Sequence, residues 1–96
     1  MSPINKKKID SLRLKLDKLD NELLILIKKR SNLVNEVLKV KNHKNEIIDQ
    51  KRINFILKKI KKKSNQLKID PKITNRIWKN MIWSFIDYEK RNFKKK

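Results

Sequence analysis

Glycine and cysteine are both missing from this 96-residue chain, histidine occurs once and proline only twice. Without glycine, a tight loop that wraps phosphate oxygens in backbone N–H groups cannot be built, so nucleotide cofactors are not expected. Without cysteine there is no disulfide framework, thiol nucleophile or thiolate metal site, and His43 alone cannot make a zinc cluster. Nowhere does an apolar run approach the ~20 residues of a membrane span. The start, Met1-Ser2-Pro3-Ile4-Asn5, lacks the apolar stretch of a secretory signal, so a cytoplasmic protein is expected. Acidic residues are scarce too, 10 Asp+Glu against 28 Lys+Arg, a formal charge of +18. Only 38% of the residues are apolar. That suffices for one small domain over residues 1–96, with a thin core unless the chain associates with copies of itself.

What is present reads as all-α. From Ile9 onward apolar residues recur at alternating spacings of three and four: Ile9, Leu12, Leu16, Leu19, Leu23, Leu26, then Arg30, then Leu33, Val37 and Val40. The pattern predicts one long helix over residues 4–41, about 57 Å at 1.5 Å per residue. So long a rod exceeds what a monomeric globule of this size can cover, and its stripe requires partner helices from a second chain. Asn42-His43-Lys44-Asn45 interrupts the pattern, and asparagine tolerates the left-handed backbone at a helix end better than any residue but glycine. A short loop is expected there. Asp49 then caps a second helix over 49–66, with Ile53, Ile56, Leu57 and Ile60 on one face. Asp70-Pro71 starts a third, running to about Phe93 with Ile73, Ile77, Trp78, Met81, Ile82, Phe85 and Ile86, and a basic tail follows over 94–96.

The lysine runs, Lys6 to Lys8, Lys58-Lys59, Lys61 to Lys63 and Lys94 to Lys96, admit three readings. They are a solvated surface, a salt-sensitive nucleic-acid face, or a field that speeds the arrival of a small polyanion. No DNA- or RNA-binding motif accompanies them, and nucleic acid is not the expected partner.

Arg30 is more informative, because every other member of its stripe is aliphatic. A guanidinium stays charged at ordinary pH, and burying it unpaired is severely unfavourable, so something anionic must meet it. That anion is either a carboxylate of a neighbouring helix or a ligand. On an ideal helix Lys41 points within about 20° of Arg30 and lies roughly 16 Å further along, a gap suited to a small dicarboxylate. Arg13 is about 25 Å before Arg30 on the same rod and cannot reach the same ligand. An antiparallel second chain could bring its own Arg13 there, making two equivalent pockets per dimer.

Leu12-Arg13, Leu16-Asp17, Leu19-Asp20, Glu22-Leu23-Leu24, Leu26-Ile27 and Arg30, followed by Val37, Lys41, Asp49 and Arg52 and ending in Ile82 to Glu89, resemble the all-helical chorismate mutase family over nearly the whole chain. The resemblance implies an intertwined homodimer of three-helix chains that rearranges chorismate to prephenate, within aromatic amino acid biosynthesis and without metal or cofactor. It implies that Arg30 and Arg13 of the partner subunit hold the two substrate carboxylates. Lys41 would face the ether oxygen, Asp49 and Arg52 would line the ring side, and Phe85 would join the substrate-binding residues. Such a reaction needs no nucleophile. Its catalyst selects a compact conformer and stabilises negative charge on the ether oxygen, which fixed cations can do.

Two positions depart from the family pattern. Ile53 stands where the mutases usually carry a glutamate, which is reminiscent of the related isochorismate pyruvate lyases and also suits an amino-substituted chorismate; alternatively, Ile53 simply belongs to the second helix's apolar stripe. Glu89 stands where many members have glutamine, on the line Trp78, Ile82, Phe85, Glu89. Desolvation on such a face favours a neutral acid that donates as glutamine does, with activity falling as pH rises, while nearby cations oppose it. Trp78, Trp83, Phe85 and Tyr88 are expected in core or dimer packing, and His43 at the surface.

Overall fold

Pro3 and Pro71 are the only residues without a backbone N–H, and each stands where a helix begins and that group is dispensable. The computed structural model describes residues 2–95, so Lys96, the last residue of the expected basic tail, lies outside the described residues. Three α-helices follow in order: α1 over Pro3–Val40, α2 over Gln50–Gln66 and α3 over Pro71–Asn92. A single 3₁₀ turn, Lys44–Glu46, sits between α1 and α2. No strand occurs among the described residues.

The chain divides into two units, one up to Leu33 and the other from Val34 on. The first is helical from Pro3 on. Leu12, Leu16, Leu19, Leu23 and Leu26 are each more than half exposed. The helix therefore presents an unbroken aliphatic stripe to solvent within the single chain.

The second unit holds the core. Leu38, Ile47, Ile53, Ile82 and Ile86 are buried together, with Ile56, Leu57 and Phe93 packed around them. The α1 residue in this core is Leu38, which lies off the heptad stripe, whereas the stripe members Val37 and Val40 stay exposed. The end of α1 thus has two apolar faces. On α3 the inward face is Ile82, Ile86 and Glu89, while Ile73 and Ile77 remain exposed in the single chain.

Helix ends follow the local chemistry. Asp49 accepts the Arg52 backbone N–H at 3.0 Å, and Asp70 accepts that of Lys72 at 2.9 Å, so both expected caps form. The left-handed residue expected at the asparagines is absent. Instead α1 closes through Lys41 N–H to the Leu38 carbonyl, and the Asn42 N–H donates to the Glu46 side chain at 3.3 Å. Among the described residues the left-handed conformation falls to Lys68, at φ 58°, just past the end of α2. There Lys68 N–H reaches the Asn65 carbonyl and Ile69 N–H reaches that of Ser64, the paired bonds of a Schellman closure. Beneath this turn the buried Ser64 and Thr74 hydroxyls meet at 2.7 Å and tie α2 to α3.

Candidate functional site

Lys41, in the second unit, is the first residue beyond α1, and its side chain turns toward α3. Glu89 sits one turn from the end of α3, on the face begun by Ile82 and Ile86. Lys41 Nζ lies 3.1 Å from Glu89 Oε1, and the two side chains are only 16% and 7% exposed. Glu89 is withdrawn from water and depends on Lys41 for its charge, while Lys41 keeps one side toward solvent. The neighbouring cation that the sequence allows for near Glu89 is therefore Lys41. Such a pair can present an ammonium and a carboxyl group side by side to one ligand atom.

Asp49 and Arg52 share the start of α2 but do not form an ion pair. The Asp49 carboxylate accepts from the backbone of Arg52, and the Arg52 guanidinium lies 5.4 Å from the Phe55 ring centre, held along the helix by a cation–π contact. Beside Lys41 an open groove of about 460 Å³ is lined by Glu46, Ile48, Asp49, Gln50 and Lys51. It joins Lys41 and Asp49 on one surface. A larger cleft of about 540 Å³ between α2 and α3, edged by Lys58, Lys61 and Lys72, contains none of the candidate substrate-site residues.

Ile53 points into the core, against Leu38, Ile47, Ile82 and Ile86. Phe85 is half-buried on α3. In the first unit Arg13 is exposed and Arg30 half-buried. Of the named residues, then, the second unit brings together Lys41 and Glu89 directly, and Asp49 with Lys41 along one groove.

A polar pairing beside them had no sequence signal. Tyr88 donates its hydroxyl to Asn35 Oδ1 at 2.8 Å, across 53 positions of sequence. Helical spacing reads Tyr88 as packing, and nothing in periodicity foretells an amide on a different helix. Trp83, expected in packing, is about half exposed in the single chain.

Comparison with known proteins agrees with this architecture. A model of the family described as chorismate mutase type II matches residues 12–90, from the first turns of α1 almost to the end of α3. No curated protein and no solved structure matches the chain. Because the family match runs through all three helices and takes in both Lys41 and Glu89, the chain belongs to the chorismate mutase type II family.

Proposed function

We propose that the protein is a chorismate mutase that works as a homodimer with two shared pockets. The observation that carries the reading is the part-buried Lys41–Glu89 pair, an ammonium and a carboxyl group 3.1 Å apart in a chain of this family. In the reaction the ether C–O bond of chorismate breaks as a C–C bond forms, and negative charge grows on the ether oxygen. Lys41 stabilises that charge, with no nucleophile or cofactor. Glu89 accepts from the Lys41 ammonium and holds it in place. Arg30 and Arg13 of the partner subunit bind the two carboxylates and select the compact conformer. Asp49, Arg52 and Phe85 complete the ring side.

The second copy is supported by the stripe of α1, whose leucines have no cover within one chain. Burying such a stripe releases roughly 25 cal/mol for each Å² of apolar surface taken from water, ample reason for two such helices to associate.

A second reading has one observation in its favour. Ile53 contributes no polar group, and its side chain is committed to the core, so this position offers nothing to a ring hydroxyl. That leaves room for isochorismate, with loss of pyruvate, or for an amino-substituted chorismate. Purified protein incubated separately with chorismate and isochorismate separates the cases. Prephenate from chorismate is the expected product, salicylate and pyruvate from isochorismate identify the lyase, and inertness toward both rejects an enzyme of either kind.

A further inference from the structure

The two consecutive residues Tyr88 and Glu89 both reach the end of α1, by different routes. Tyr88 hydrogen-bonds Asn35 at 2.8 Å, and Glu89 pairs with Lys41 at 3.1 Å. Asn35 and Lys41 are about 9 Å apart along an ideal helix, with Leu38 midway between them. Leu38 is buried in the core that also holds Ile82 and Ile86 of α3. The end of α3 therefore straddles Leu38, with one polar contact on either side.

Among the described residues α2 and α3 pack on one another closely and no other pair of helices does so to a comparable extent, so α1 and α3 share few contacts besides this bracket. Apolar contact at Leu38 alone is non-directional and would let α3 roll or slide by a fraction of a turn. A hydrogen bond has a narrow range of distance and angle. On the other side of Tyr88 its carbonyl accepts from Asn92 Nδ2 at 2.9 Å, which secures the last turn of α3 beyond it.

Building on the mutase reading, we propose that Tyr88 is a positioning residue. Its hydroxyl, donated to Asn35, sets the roll and height of α3 so that the Glu89 carboxyl meets Lys41. Tyr88 touches no reacting atom in this scheme and acts only through Glu89.

The test is a double-mutant cycle in chorismate turnover, with Tyr88→Phe made in the wild-type and the Glu89→Ala backgrounds. Tyr88→Phe keeps the ring, so packing is retained and only the hydroxyl is lost. In the wild type it is expected to lower kcat about fivefold, with KM changed less than about twofold. In the Glu89→Ala background it is expected to have no further effect. Asn35→Asp, which keeps an acceptor for the hydroxyl, should retain most of kcat, and Asn35→Leu should match Tyr88→Phe. An equal loss in both backgrounds, or no loss in the wild type, overturns the proposal. If the wild type turns over no chorismate, the mutase reading fails and the positioning role is decided by the ¹³C carboxyl resonance of Glu89. A shift of that resonance in Tyr88→Phe supports the role, and an unchanged resonance overturns it.

Discussion

The Lys41–Glu89 pair is a liability unless both members are present. A buried ion pair seldom stabilises a fold relative to apolar residues of the same size, but removing Glu89 leaves the Lys41 ammonium largely covered, with only the water of its groove in place of its partner. Glu89→Ala should therefore destabilise the protein by about 3 kcal/mol, read as a lower denaturant midpoint. Glu89→Gln retains an oxygen acceptor for Lys41 and should be much milder in stability and keep most of the turnover. If Glu89→Ala and Glu89→Gln behave alike, the pairing carries no weight. The sequence singles out both residues, Glu89 because it interrupts an apolar line and Lys41 because it shares a helix face with Arg30. Their direct contact was not legible there, because it depends on how α3 meets the end of α1 and spans 48 positions. Ile53 shows the limit from the other side: one isoleucine fits a pocket wall and a core equally well as a letter, and only its burial beside Leu38 and Ile47 shows that its side chain serves the core.

Helix boundaries were the most readable feature, and the reason is local. Asp49 and Asp70 can each satisfy an N–H two or three residues on without any tertiary help, so a cap is encoded within four positions. C-terminal ends are harder in a chain without glycine. The left-handed position at the end of α2 is occupied by Lys68, a residue with no preference for it, and the site is forced by the turn that brings Ser64 against Thr74. A side chain with a Cβ pays roughly 1 kcal/mol for that backbone region. Lys68→Gly should accordingly raise stability by about 1 kcal/mol in equilibrium unfolding, and a loss of stability would mean that the closure is not under this strain. Leu38 was missed for a related reason. Heptad periodicity finds the stripe that faces a distant partner, and it hides a single residue on the opposite face that enters a local core.

In the proposed homodimer the aliphatic stripe that α1 exposes in the single chain is covered by the second copy. Stability should therefore depend on protein concentration, with the unfolding midpoint falling on dilution, as it does when folding and association are linked. A midpoint independent of concentration over a hundredfold range would speak for a folded monomer. The charge of +18 acts over longer distances. α2 carries Lys51, Arg52 and its lysine runs with no acidic residue between Gln50 and Gln66. Such a field draws in a small dianion, and kcat/KM should fall as salt rises while kcat stays nearly constant. The most direct measurement concerns the sharing of pockets. Arg13→Ala and Arg30→Ala chains, each inactive as a homodimer, are mixed and the heterodimer is isolated and assayed for conversion of chorismate to prephenate. One of its pockets collects both lesions and the other collects neither, so about half of the wild-type activity per dimer should return. Verified heterodimers that remain as inactive as their parents would contradict a pocket completed by an arginine from the other chain.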